Sequence, residues 1–151
     1  MHPYVVLGLD FGPVVIERLF RAIPSARREV PTGEGRFSPR EVLAHLADWE
    51  PILRSRISTA VESPGSRVPV YDEDRMAIDH RYNESDPEEQ IRLFAVERAK
   101  TTGLIKGLQP GQRSSTVIHP ERGEISVDDI IGMLIGHDMY HVEQLSAAIS
   151  A

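Results

Sequence analysis

The sequence predicts an all-α four-helix bundle, on three observations. Capping signatures mark helix starts, apolar residues recur every three or four positions, and no segment shows convincing strand alternation with hairpin turns. Its 151 residues correspond to one domain, 1–151, long enough to bury a core without covalent staples.

The first helix is expected to start near Asp10, with Pro13 tolerated in its first turn and Phe11, Val15, Leu19 and Ala22 or Ile23 as its inward stripe. The second starts at "SPRE". Ser38 is the N-cap, Pro39 takes the first helical position, and Glu41 closes a capping box. Val42, Leu46, Trp49, Leu53 and Ile57 line its inward face, and Pro51 is expected to kink it near Ala47.

The third helix starts at "DPEE", residues 86–89. Ile91, Phe94, Ile105 and Leu108 align along it, interrupted by Arg98 and Thr101. A long segment, 63–85, separates it from the second helix. That length is too great for a tight antiparallel turn and lets the two helices run parallel. It could also cover one end of the bundle, as a lid or as a mobile loop. The best strand candidate, "STVIHP" at 115–120, is short and ends in proline.

The last helix opens at "SVDD" with Ser126 and Asp129 as a cap pair. Ile130, Leu134, His137, His141, Leu145 and Ala148 form one stripe. His137 and His141 stand four residues apart, so their imidazoles point the same way and can converge on one ion. His45 lies between Val42 and Trp49 on the second helix. His2, His80 and His119 fall at the terminus or in expected loops and read as solvated. An HxxxH pair alone is weak, because it also arises on ordinary helix faces, and a solitary core histidine is more often hydrogen-bonded than ligating. The HExxH protease motif is absent, since Asp138 follows His137.

Several neighbours could support such a site. Asp48 and Glu50 follow His45 and could accept from the histidines or relay protons, although lying solvated or pairing with Arg54 and Arg56 is the commoner outcome. Trp49 could wall a pocket or pack in the core. Arg98 could hold an anionic cosubstrate or lie at the surface edge with a buried stem.

Composition narrows the function. Seventeen basic residues against twenty-three acidic ones give a net charge of −6, which argues against a sequence-independent grip on nucleic acid. The longest apolar runs fall short of the ~20 residues that span a membrane. The opening "MHPYVVLGLD" lacks a basic leader, so a cytoplasmic location is expected. With no cysteine, any thiol chemistry needs an external thiol.

Two stretches carry a family resemblance. "FSPREVLAHLADWEPILRSRI" (37–57) resembles the second-helix signature of the DinB/YfiT-like family, and "HPERGEISVDDIIGMLIGHDMYHVEQLSAAI" (119–149) resembles its last-helix signature, trailing Gln144 included. The resemblance implies a four-helix bundle of unusual connection order. It also implies a divalent metal held by His45, His137 and His141, with zinc or nickel foremost and manganese or iron as further candidates. Related members include transferases and isomerases that use bacillithiol, mycothiol or glutathione, while many others have no assigned activity. The resemblance thus points to a metal-dependent thiol transferase with a small-molecule thiol and an electrophile as partners. A non-catalytic metal-binding stress-response homodimer and a metal-dependent hydrolase stand as alternatives.

Overall fold

The computed structural model describes residues 1–150. Four long helices form the bundle: α1 (Pro3–Ala22), α2 (Pro39–Glu62), α4 (Pro87–Gly107) and α5 (Val127–Ser150). The crossover from α2 to α4 carries a short helix, α3 (Glu73–Asp79), and a hairpin of β1 (Thr116–His119) and β2 (Gly123–Ser126) precedes α5.

Contacts fix the directions. Phe94 packs with Val42, Leu43, Leu46 and Ala47, and Ile105 with Leu53, Ile57 and Ala60, so α2 and α4 run parallel, as the long crossover predicts. Leu9 packs among residues of early α5, whereas Ile16 and Phe20 join Leu145 and Ala148, so α1 and α5 also run parallel. Around the bundle the order is α1, α4, α2, α5. Chain neighbours α1 and α2 thus stand diagonally opposite.

The cap at Ser38 forms as expected, with its hydroxyl accepting from the Glu41 amide and Glu41 answering to the Ser38 amide. Ser126 and Asp129 exchange the same pair of bonds at the start of α5. Asp86 caps α4 by accepting from the Glu88 amide.

Four expectations are corrected. First, α1 begins at Pro3, where the His2 ring accepts from the Tyr4 amide, so Pro13 lies in the helix interior. Proline has no N–H, which orphans the carbonyl four residues back, at Leu9. The Arg98 guanidinium donates to that carbonyl at 3.1 Å and the helix continues. Second, the inward stripe of α1 is Leu9, Gly12, Pro13, Ile16 and Phe20, while Phe11 is 57% exposed. This helix is apolar on more than one face, and the small Gly12, not hydrophobicity, selects the one that docks. Third, Arg98 and Thr101 do not interrupt the buried face of α4 but belong to it, together with Phe94, Thr102 and Ile105. Fourth, "STVIHP" does form a strand. Val117 and His119 point inward, Gly123 at φ 75° completes the turn, and Ser66 and Val68 of the crossover bond to Ile118. The signal is weak because each strand has four residues. At Pro51, α2 continues unbroken from Pro39 to Glu62.

The core is layered. One apolar cluster gathers Leu53, Ile57, Ile105, Ile130 and Leu134, and a second gathers Phe20, Leu43, Leu46, Phe94 and Leu145. Between them on the chain lie Gly12, Glu50, Arg98, Asp138 and His141, with His45 among the second cluster's residues on α2. This polar layer holds the site.

Candidate metal centre

His45 on α2 and His137 and His141 on α5 meet inside the bundle. Their Nε2 atoms lie 2.8 Å apart for His45 and His137 and 3.2 Å apart for His137 and His141, and all three ligand atoms fall within 4.8 Å of one another. His45 and His141 are buried and His137 is partly so.

One proton position can be deduced. The Gln144 amide nitrogen donates to the Phe37 carbonyl at 2.7 Å and to the Thr32 hydroxyl at 2.9 Å. A backbone carbonyl only accepts, so the amide orientation is fixed and Oε1 faces His141. His141 Nδ1 therefore carries a proton and donates to it at 3.0 Å, which leaves its Nε2 with a lone pair. Sequence reasoning met Gln144 only as part of a signature. Its spacing, three residues after His141 on the same helix, is the signal that it orients the ring.

Burial pushes all three rings toward the neutral form. Burial, reinforced by the other two rings, takes His45 down to about 2. Burial and then the Arg98 charge take His137 to about 4. Burial first and His137 second take His141 to about 3, against the opposing bond to Gln144. Three neutral rings cannot satisfy this geometry alone. With the Nε2 of His141 an acceptor, a proton on His137 can serve one neighbour and not both, so at least one close pair faces without a hydrogen bond. An unmet buried group costs about 1–3 kcal/mol. A single divalent cation accepts all three lone pairs. Tetrahedral zinc with bonds of ~2.0–2.1 Å places its ligands roughly 3.3 Å apart, near the observed spacings. The residues fit a metal ion.

Behind the histidines lies a buried ionic cluster. Arg98, 2% exposed, donates to both oxygens of Glu50 at 2.7 and 2.8 Å, to both oxygens of Asp138, and to the Leu9 carbonyl. One side chain of α4 thereby bonds to α1, α2 and α5. Burial opposes its charge, but the bonds it donates to Asp138 and Glu50 outweigh that and hold the guanidinium firmly protonated. Arg98 is thus neither a surface-edge residue nor free for a cosubstrate, because its donors are spent within the core. Glu50 is likewise spent on Arg98 and does not pair with Arg54 or Arg56. Asp48 bonds to the ring of His80, and Arg54 pairs with Glu97. Neither Asp48 nor Glu50 reaches a ring nitrogen of His45, His137 or His141.

Two cavities flank the three-histidine point. One, of about 350 Å³, is lined by Trp49, Arg56, Tyr71, His119 and Arg122 among others, and the second, of about 290 Å³, by Arg36, Phe37, Tyr140 and Gln144. His137 and Glu73 border both. Trp49 is half-buried and walls the larger cavity rather than packing in the core, with its ring edge-on to Tyr71 at 5.9 Å. Tyr71 and Glu73 bring the crossover to the mouth of the site. His119, read as solvated from the sequence, is buried and lines the larger cavity, while His80 is half-exposed.

A family model for the DinB superfamily matches residues 9–145. The chain belongs to that superfamily. It is 23% identical over 141 residues to a Bacillus subtilis protein named "Putative metal-dependent hydrolase YfiT", covering 91% of this chain and 78% of the relative. An Oceanobacillus iheyensis protein of the same description is 27% identical over 113 residues, covering 75% of this chain and 65% of its own length. The solved structure of YfiT, described as having an unusual four-helix bundle topology, superposes with a TM-score of 0.90 at 18% identity, covering 96% of this chain and 83% of that one. A mycothiol-dependent maleylpyruvate isomerase superposes at 0.76 with 15% identity, covering 94% of this chain and 59% of that one. These likenesses establish the bundle. Within this superfamily fold, no helix among the described residues is long and apolar enough to cross a membrane.

Proposed function

We propose that this DinB-superfamily chain is a divalent-metal-dependent enzyme that activates a low-molecular-weight thiol for attack on an electrophile. The observation that carries the proposal is the pair of cavities meeting at His137. Two organic reactants need two pockets beside one activating centre, one on each side.

A divalent cation held here supplies Lewis acidity, lowering the pKa of a coordinated thiol or water so that a nucleophile exists at neutral pH. The chain's own residues do the rest. Neutral His45, His137 and His141 add no charge, so the cation keeps its full pull on whatever binds opposite them. Gln144 holds His141 in the tautomer that presents its lone pair. Trp49, Tyr71 and Phe37 form apolar walls that limit water. The lack of cysteine makes the thiol a cosubstrate.

The relatives named metal-dependent hydrolases support a second reading, in which water is the nucleophile. Thiol consumption by metal-loaded protein, assayed against a panel of thiols and electrophiles, separates the two. The thiol reading expects turnover that needs both reactants and falls more than about 100-fold in His45→Ala, since loss of a ligand should exceed the 10–100-fold typical of an outer partner. Product formed equally well without thiol establishes the hydrolase instead. Bound metal without either reaction would leave a binding protein.

A further inference from the structure

The larger cavity contains a charge that the protein leaves unanswered. Arg56 is only 5% exposed, and its Nε is buried without a hydrogen-bond partner. Its one protein hydrogen bond is a long one of 3.5 Å, from a terminal nitrogen to the Pro69 carbonyl. Among the described residues no carboxylate oxygen lies within 4.0 Å of its guanidinium. The contrast with Arg98 is sharp, for that buried arginine has two carboxylates. A buried cation without a counter-charge is costly, and arginine cannot shed its proton to escape the cost.

Arg122, which is exposed, lines the same cavity and forms no ion pair among the described residues. His119 is buried beside them. Its Nδ1 accepts from the Glu121 amide at 3.3 Å, so a neutral ring carries its proton on Nε2, which has no protein acceptor. Burial, Arg56 and Arg122 all push His119 toward that neutral form. Glu73 and Glu121 also border the cavity. Neither carboxylate comes within the 4.0 Å ion-pair distance of Arg56. The Arg56 guanidinium carbon also lies 5.9 Å from the centre of the Trp49 ring, within cation–π range.

We infer that Arg56, with Arg122 and His119, forms a carboxylate-binding subsite that holds an anionic substrate with its reacting atom toward His137. Arginine presents paired donors that match the two oxygens of a carboxylate, and a cavity of about 350 Å³ accommodates a molecule of amino-acid size. The inference deepens the proposed function by naming the substrate class. The carboxylate could belong to the thiol or to the electrophile, and these arms are separable.

The test uses the full chain labelled with 15N, metal-free and metal-loaded. N-acetylalanine is the carboxylate probe, N-acetylalaninamide its neutral control, and N-acetylcysteine its thiol counterpart. N-acetylalanine is expected to shift the Arg56 Nε–H resonance saturably, with a dissociation constant in roughly the millimolar range. The amide should not. Arg56→Met should weaken binding by at least about fivefold, and Arg56→Lys by less. No saturable shift in the wild type, an equal shift with the amide, or a smaller loss in Arg56→Met overturns the subsite. The wild-type resonance decides the matter even if the variant fails to fold. Binding by the metal-free protein keeps this result distinct from the fate of the metal proposal. N-acetylcysteine binding at least about fivefold more tightly once metal is loaded places the carboxylate on the thiol, and no such gain places it on the electrophile.

Discussion

Gln144 shows how one buried amide can decide the chemistry of its neighbour. It spends its two N–H donors on the Phe37 carbonyl and the Thr32 hydroxyl, and so has only an acceptor to offer His141. Gln144→Leu keeps the volume and removes that acceptor. We expect metal affinity to fall about 10–100-fold, measured by competition with a chromophoric chelator, because His141 then loses both its fixed tautomer and its fixed ring angle. Unchanged affinity would show that packing alone orients the ring. At this scale the sequence was partly legible. His45, His137, His141 and Gln144 stand at helical spacings that a reader can find. Arg98 could not be placed from spacing, because an arginine on an apolar stripe looks the same whether its head reaches water or two buried carboxylates. Asp138 was hidden for a related reason. It lies one residue beyond His137, about 100° round the helix, and its partner comes from α4.

Among the elements, α1 was the hardest to read, and the reason is Gly12. A Cβ built there would lie 2.5 Å from Asp138 Oδ2 and 2.8 Å from the Arg98 guanidinium. Those atoms are pinned by the ionic cluster and cannot swing aside cheaply. Gly12→Ala should therefore destabilise the fold by roughly 1–3 kcal/mol, although alanine is the better helix former. Gly8 is the internal control. It sits on the same helix, exposed, with nothing within 4 Å of where a methyl would go, so Gly8→Ala should stabilise by up to about 1 kcal/mol. Denaturant unfolding of both variants in metal-free buffer checks the pair. Equal effects would mean that α1 docks less closely than its contacts at Gly12 require. The cap signatures of α2, α4 and α5 were legible because capping is local: donor and acceptor lie within three residues. The docking face of α1 depends on partners distant in sequence, which periodicity cannot see, and the strands of the β1–β2 hairpin are too short, at four residues each, to show alternation.

For the molecule as a whole, the polar layer makes stability a function of pH and metal. The buried rings titrate at about 2, 4 and 3 for His45, His137 and His141, against the ordinary 6.5 of an exposed imidazole. Between those values the unfolded chain binds protons that the folded chain refuses. The stability this contributes is fully present above pH ~6.5 and drains away as the pH falls toward the folded values. Metal-free protein should thus be less stable at pH 5.0 than at pH 7.5 by about 4–6 kcal/mol at most, since each ring contributes about 1.4 kcal/mol per pH unit over the roughly 1.5 units below 6.5 and His137 is not fully enclosed. The carboxylates whose pKa is lowered, such as Glu97 and Asp129, lose their contribution only below their ordinary range near 4, whereas Glu73, pushed up by burial, opposes the imidazoles because its ionisation costs stability as the pH rises. His119 shifts in the same direction as the three rings and must be separated by substitution. A His45→Gln/His141→Gln double variant should flatten most of the slope while keeping the hairpin's share. A divalent cation at 100 times its dissociation constant should add about 2.7 kcal/mol at pH 7.5 and progressively less in acid, because protons and the cation compete for the same three lone pairs. A wild-type protein equally stable at both pH values would mean that the rings reach water in the folded state, and there would be no neutral, cation-ready cluster.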